Sequence, residues 1–117
     1  MRTTIYHNSG CSKSRECLTI LNDFKEEVEV VNYLNQPFLR DDIERLLELL
    51  QVEPQGIIRR SEAVFKEHFA DKKLSRSEWI EAIVKYPILL ERPIIVKGNK
   101  AIIGRPPQKL LDFLAKE

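Results

Sequence analysis

Cysteine is scarce in this chain, and its two cysteines fit none of the common metal-binding or disulfide patterns. The residue three positions after Cys11 is Ser14, so the chain has no Cys-x-x-Cys redox pair there. Cys17, His7 and His68 are the other thiol and imidazole side chains, and their scattered positions do not match a zinc site. Two cysteines are also too few for the disulfide framework of a small secreted protein.

Long apolar runs and an excess of charge of one sign are also missing. The 117 residues hold 19 Lys and Arg against 18 Asp and Glu, so the net charge is +1. This balance argues against a nucleic-acid partner, and no apolar run approaches the ~18 residues of a membrane-spanning helix. The first residues lack the apolar stretch of a signal peptide, so we expect a cytoplasmic protein with no membrane partner. The sequence contains neither a P-loop nor a dinucleotide-binding fingerprint.

Strand-like and helix-like patterns alternate along the first part of the chain. Residues 3–7 are β-branched and aromatic and predict a first strand, and residues 29–33 predict a second. Apolar residues between them recur at helical spacing and predict a helix over 13–24. This order predicts a parallel βαβ unit. The predicted buried stripe of the helix consists of Cys17, Ile20, Leu21 and Phe24.

The middle of the chain is helical by pattern, and its last part returns to strands. Helical spacing and capping residues occupy most of the segment from about 41–86. Residues 94–97 and 101–103 predict a hairpin around Gly98-Asn99, and a last helix follows. We therefore predict a single α/β domain with a thioredoxin-like fold. Its mixed four-stranded sheet (βαβ, then ββα) carries the segment at 41–86 as a helical insertion.

Cys11 is the main candidate for chemistry. It follows the first strand, lies next to Gly10 in a loop, and directly precedes the first helix. Unpaired N–H groups at a helix N-terminus attract negative charge, so a thiol placed there has a lowered pKa and becomes a thiolate nucleophile. His7, Lys13 and Arg15 can add positive potential, and the same N–H groups can hold an oxyanion beside the sulfur.

Cys17 has the opposite character, because it lies on the apolar stripe of the predicted helix. We interpret it as a core residue. A disulfide with Cys11 would require unwinding of the first helical turn. Such a pair would let the protein resolve its own intermediate, so it stays open as an alternative.

Three arginines are the second candidate feature for chemistry, as ligands of an oxyanion. A planar guanidinium binds a tetrahedral oxyanion through two donors, which lysine cannot match. Arg59 follows a short apolar stretch. Arg92 and Arg105 flank the predicted hairpin, which predicts that their backbones are close in space. Arg15 and Arg60 remain alternatives for the same role.

Four segments carry motifs that matter in combination. They are Ile5-Tyr6-His7-Asn8-x-x-Cys11-x-x-Ser14-Arg15, Ile57-Ile58-Arg59, Tyr86-Pro87-Ile88-Leu89-Leu90-Glu91-Arg92-Pro93-Ile94-Ile95-Val96 and Ile103-Gly104-Arg105-Pro106-Pro107. With them the sequence resembles, over essentially its whole length, the glutaredoxin-coupled arsenate reductases, and the last segment looks most like their short chromosomal branch. The resemblance implies a thioredoxin-like fold, in which a proline such as Pro93 is usually cis and faces the thiol. Ser9 stands where the family usually has proline, which would loosen the loop that presents Cys11.

The resemblance also implies a role for each candidate residue. Cys11 would be the nucleophile that attacks arsenate, and His7 and Ser14 would help to stabilise its thiolate. The arsenate and the charged intermediates would be bound by Arg59, Arg92 and Arg105.

The same resemblance implies the partners of the reaction. Glutathione would be the co-substrate, with no bound cofactor and no metal, and glutaredoxin would clear the remaining mixed disulfide. We expect a monomer, because no extra helix or apolar surface segment is evident.

Two other functions stay open from the sequence. The same fold is used by a redox-switched transcriptional regulator that binds RNA polymerase, although that relative usually carries Cys-x-x-Cys where this chain has Ser14. A glutathione-linked oxidoreductase acting on another substrate is the second alternative, because arginines also bind phosphate, sulfate and carboxylates.

Overall fold

The computed structural model describes residues 2–36 and 38–115. Two short 3₁₀ turns begin at prolines, at Pro54–Ile57 and Pro87–Leu89. In chain order, the strands and α-helices are β1 (Thr3–His7), α1 (Ser12–Asp23), β2 (Val28–Asn32), α2 (Arg40–Leu50), α3 (Ala63–His68), α4 (Arg76–Lys85), β3 (Ile94–Lys97), β4 (Lys100–Ile103) and α5 (Gln108–Ala115).

The described residues form two compact units. The first takes those of 1–36 and 92–117 and contains the four strands with α1 and α5. The second takes those of 37–91 and contains α2, α3 and α4. The helical unit corresponds in sequence to the insertion expected at 41–86, with slightly wider bounds. That the two units form a single domain stays a prediction.

The strands of the first unit form one mixed sheet in the order β2-β1-β3-β4, as predicted. β1 and β2 are parallel, and β3 is antiparallel to both β1 and β4. His7 pairs with Asn32, Tyr6 with Ile94, and Ile94 with Ile103. The C-terminal ends of β1, β2 and β4 and the N-terminal end of β3 therefore meet at one edge, which we call the site edge.

The core of the first unit lies where α1 and α5 pack together and against strands of the sheet. The prediction that Cys17 is a core residue is confirmed, since its side chain is fully buried. The prediction for Phe24 is wrong, because its side chain is 51% exposed. α1 ends at Asp23, and the chain turns away through Lys25, which has a φ of 55°. The core residues are Ile5, Cys17, Leu21, Ile95, Leu110 and Leu114.

The second unit packs α2 against α4. α4 begins with a capping box: the Glu78 N–H donates to Ser75 Oγ at 3.1 Å, and the Ser75 N–H donates to the Glu78 carboxylate at 2.9 Å. In residues 2–36 and 38–115, no helix combines the length and the apolar character needed to cross a bilayer. The buried apolar residues of these two helices are Ile43, Leu46, Leu47, Trp79, Ile80, Ala82 and Ile83.

Candidate active site

Four residues with polar or reactive side chains come together at the site edge because of where the strands end. Cys11 follows β1, Tyr33 follows β2, Arg92 precedes β3, and Arg105 follows β4. The hairpin of β3 and β4 brings Arg92 and Arg105 close together, as the sequence predicts, and places both at the same edge as Cys11. The Arg92–Pro93 peptide bond is cis, as expected, and Arg105–Pro106 is cis as well.

Cys11 occupies the N-cap position of α1, and hydrogen bonds of the preceding loop fix its backbone. The Cys11 N–H donates to the carbonyl of Asn8 at 2.9 Å, and the Gly10 N–H donates to Asn8 Oδ1, also at 2.9 Å. The Cys11 carbonyl accepts the N–H of Arg15 at 3.1 Å, which starts the helix. The loop therefore places the thiol at the positive end of the α1 dipole.

The surroundings of Cys11 favour its thiolate. Partial burial acts to raise the pKa of the thiol, but the backbone N–H of Ser14, the Arg92 guanidinium and the backbone N–H of Lys13 together hold it below its usual value. Arg105 Nη1 lies 3.8 Å from the Cys11 sulfur. Cys11 thus lies at the helix N-terminus that the sequence predicts, and its neighbours favour the thiolate, while its role as the nucleophile stays a prediction.

Two of the three candidate arginines, Arg92 and Arg105, lie in this unit and contact each other. Arg105 Nη1 donates to the Arg92 carbonyl at 3.3 Å. Nε and Nη1 of Arg92 are buried. Burial acts to lower the pKa of Arg92, but interactions with Cys11 and Tyr33 have the larger, opposite effect. The pKa is therefore raised overall, and the guanidinium stays charged. Two cationic forks therefore face one sulfur.

His7 and Ser14 bind each other. Both are buried, and Ser14 Oγ lies 2.7 Å from His7 Nδ1 and accepts the Asn8 N–H at 3.1 Å. Burial, with a smaller effect of the Arg15 charge, lowers the pKa of His7 and favours its neutral form. A neutral imidazole can accept the Ser14 proton at Nδ1. Ser14 acts on Cys11 through its backbone N–H, while its hydroxyl holds the end of β1 against α1.

Arg59 belongs to the helical unit and directly follows Ile58, which forms a β-bridge with Leu90. Its N–H donates to the Leu89 carbonyl at 2.7 Å. Nε lies 3.5 Å from the Glu62 carboxylate, and buried Nη1 has no hydrogen-bond acceptor within the described residues. A buried guanidinium with an unused donor is suited to bind an anion. Its part in substrate binding stays a prediction.

The two alternative arginines are engaged elsewhere. Arg15 Nη1 donates to the Ser9 carbonyl at 2.8 Å, which ties the loop to α1. Arg60 lies over the ring of Phe65, 5.7 Å from its centroid. Within residues 2–36 and 38–115, no three His, Cys, Asp or Glu side chains are grouped as metal ligands.

Comparison with known proteins agrees with this geometry. The ArsC family model matches residues 6–113. The chain belongs to the ArsC family. It is 34% identical to a Haemophilus influenzae protein named arsenate reductase, over 97% of this chain and 100% of that one. It is 43% identical to Escherichia coli uncharacterized protein YfgD, over 94% of both chains. A solved structure named arsenate reductase from Vibrio cholerae has a TM-score of 0.90 and 36% identity, over 96% of this chain and 97% of that one. The expected family and thioredoxin-like fold are confirmed.

Gly104 and Tyr33 are site residues of this ArsC-family chain that the sequence interpretation gave no individual role. A Cβ on Gly104 would lie 2.6 Å from Cys17 Sγ, 3.0 Å from Ile95 and 3.1 Å from Pro93. The glycine thus allows α1 to approach the loop that carries Arg105. Its only sequence signal is its place in the Ile-Gly-Arg-Pro-Pro motif. Tyr33 gave only the signal of a strand residue.

Gly104→Ala is expected to destabilise the fold by about 1–3 kcal/mol, because the new methyl group overlaps the Cys17 sulfur. The measurement is the free energy of unfolding in urea. Cys17→Ala removes that sulfur, so in its background the same substitution should cost less. Equal costs in both backgrounds would contradict this account of the contact.

Proposed function

We propose that this protein reduces arsenate to arsenite, with Cys11 as the nucleophile, glutathione as the co-substrate and glutaredoxin as the protein that regenerates the thiol. The observation that carries the proposal is a low-pKa thiol at a helix N-terminus with the guanidiniums of Arg92 and Arg105 beside it. The relatives named arsenate reductase support the choice of arsenate among the oxyanions.

Arginine is suited to this substrate for a geometric reason. A guanidinium presents its donors in a rigid plane that matches two oxygens of a tetrahedral anion. Arg92 and Arg105 are already next to the sulfur, so an anion bound to them would lie within reach of the thiolate. Arg59 has buried donors of the same kind, and we propose it as the third ligand.

The reaction balances with one protein thiol and one glutathione. The Cys11 thiolate attacks arsenic and displaces an arsenate oxygen as water, which forms a sulfur–arsenic bond. The glutathione thiol loses its proton and its sulfur attacks the Cys11 sulfur, so a sulfur–sulfur bond forms as the sulfur–arsenic bond breaks. The electron pair of the broken bond stays on arsenic, which passes from As(V) to As(III). Arsenite leaves, and Cys11 remains as a mixed disulfide with glutathione. A glutaredoxin thiolate attacks that disulfide and releases the Cys11 thiol.

An external thiol is required because the second cysteine is poorly placed to act. Cys17 is fully buried in the core, and burial, with smaller effects of Glu16 and Cys11, raises the pKa of its thiol to about 11. Almost none of it is thiolate near neutral pH, and a protonated thiol does not attack a disulfide. This favours glutathione and glutaredoxin over an internal disulfide.

The test is arsenite formation by the purified protein with arsenate, glutathione and glutaredoxin. We expect turnover that stops when any of the three is omitted and that phosphate inhibits competitively. If no arsenite forms while the Cys11 thiol still shows a lowered pKa, arsenate is rejected as the substrate. The two arginines would then be tested with other oxyanions, and binding of RNA polymerase would be measured.

A further inference from the structure

We propose that the helical unit carries a binding site for a small organic phosphate, in a cavity with an aromatic floor and a cationic rim. The phosphate group binds to Arg60, Lys72 and Lys73, and the carbon skeleton of the ligand packs against Phe69. All residues of the site belong to the unit of residues 37–91, whereas Cys11 belongs to the first unit. The inference therefore goes beyond the proposed function and can be tested without arsenate.

The cavity is formed by α3, by α4 and by the segment that joins them, together with residues that precede α3. Its volume is about 270 Å³, close to the lower end of the about 300–1,000 Å³ of small-molecule sites. A single ring with one phosphate group is a ligand of suitable size for this volume.

Three aromatic rings form the floor of the cavity. Phe65 and Trp79 are stacked, with their centroids 6.2 Å apart and their planes at 9°. The ring of Phe69 packs against both, 6.4 Å from the centroid of Phe65 and 5.9 Å from that of Trp79. Phe65 and Trp79 are buried, whereas Phe69 is half-buried and leaves apolar surface for a ligand. The ligand thus meets a floor that packing has already fixed.

The charged side chains that line the cavity are all positive. Arg60, Lys72 and Lys73 belong to its lining, and no carboxylate of the described residues does. The Arg60 guanidinium lies over the ring of Phe65, 5.7 Å from its centroid, and is thus placed at the edge of the floor. None of the ion pairs in the part of the chain that the structure describes involves these three cations. Their positive potential is therefore open to an anion from solution.

The two kinds of surface together select the ligand. Cations alone would bind inorganic phosphate, and an aromatic floor alone would bind a neutral ring. A phosphate monoester uses both surfaces, and it carries close to two negative charges at neutral pH, which suits three cations better than the single charge of a carboxylate. The apolar floor also keeps water from one side of the charged contacts, which strengthens them.

The test uses Trp79, which is the only tryptophan of the chain and lines the cavity, so its fluorescence reports directly on the site. Phenyl phosphate, which joins a ring to a phosphate group, is expected to change this fluorescence with a dissociation constant of about 1 mM or tighter. Inorganic phosphate and phenol carry the two halves separately, and each should bind at least about tenfold more weakly. Added salt should weaken the binding of phenyl phosphate.

Lys73→Gln removes one charge from the lining, and we expect phenyl phosphate to bind about three- to tenfold more weakly. Lys66→Gln removes an exposed charge of α3 outside the lining; it is the matched control and should change the affinity by less than about twofold. Thermal unfolding establishes that both variants are folded.

The double variant Arg60→Gln/Lys73→Gln should lose the fluorescence response. Because Arg92 and Arg105 are unchanged in it, a ligand bound beside Cys11 cannot account for that loss. The proposal is overturned if phenyl phosphate leaves the fluorescence unchanged, if either half binds as well as the whole, or if Lys66→Gln weakens binding as much as Lys73→Gln does. Since arsenate, glutathione and glutaredoxin are all absent, a failure of the arsenite assay would leave this result unaffected.

Discussion

Cys11→Ser is expected to reduce arsenite formation by at least about 10³-fold, while Cys17→Ser keeps it within about threefold of the parent protein. A serine hydroxyl at position 11 stays protonated at neutral pH, so the N–H groups and guanidiniums around it have no thiolate to stabilise. The measurement is the initial rate of arsenite formation with saturating glutathione and glutaredoxin.

Cys17→Ser is a suitable control because the structure offers the new hydroxyl a partner. Cys17 Sγ lies 3.5 Å from the Gly104 carbonyl, and a serine hydroxyl can donate to the same oxygen. Both variants should unfold cooperatively, which circular dichroism checks. A comparable loss of activity in Cys17→Ser would revive the internal pair of cysteines and remove the need for glutaredoxin.

Arg92→Met is expected to lower the thiolate fraction of Cys11 about tenfold or more at any pH below the pKa. The reason is that Arg92 contributes both a hydrogen bond and a positive charge to the sulfur. The measurement is the rate of alkylation of Cys11 by iodoacetamide as a function of pH. Its inflection should move to higher pH in the variant, and arsenate should bind more weakly.

The sign of the pH effect follows from the direction of the shift. The pKa of Cys11 is lower in the folded protein than in an unfolded chain, so ionisation stabilises the fold above the unfolded value. That contribution disappears as the pH falls through the folded pKa. Arg60→Met removes an arginine of the helical unit that lies on Phe65, and its profile should match the parent protein. An unchanged inflection in Arg92→Met would contradict the assigned role.

The parts of the site that follow from local pattern could be predicted from the sequence. A strand, a loop with glycine and a helix place Cys11 at an N-cap wherever they occur in that order. A hairpin brings its two ends together, which predicts that Arg92 and Arg105 are neighbours. The prediction for Phe24 is wrong because the helical period extends to this residue, whereas α1 ends at Asp23 and the chain turns away through the left-handed Lys25.

The parts that depend on distant contacts could not be predicted in the same way. Nothing in Glu-Val-Val-Asn-Tyr shows that the strand ends at Asn32 and that the tyrosine after it is fully buried. The resemblance pointed to Ser14, but the structure uses its backbone N–H at the sulfur and its hydroxyl on His7. Residue type alone does not say which atom of a residue acts.

The loop before Cys11 has a consequence for variation among relatives. Asn8 shapes this loop through its N–H, its carbonyl and its side-chain oxygen, and Arg15 binds the Ser9 carbonyl from α1. None of these bonds involves the side chain of Ser9. The bonds that fix this loop thus come from the neighbours of Ser9, so a change of the side chain at position 9 is expected to leave Cys11 in its place.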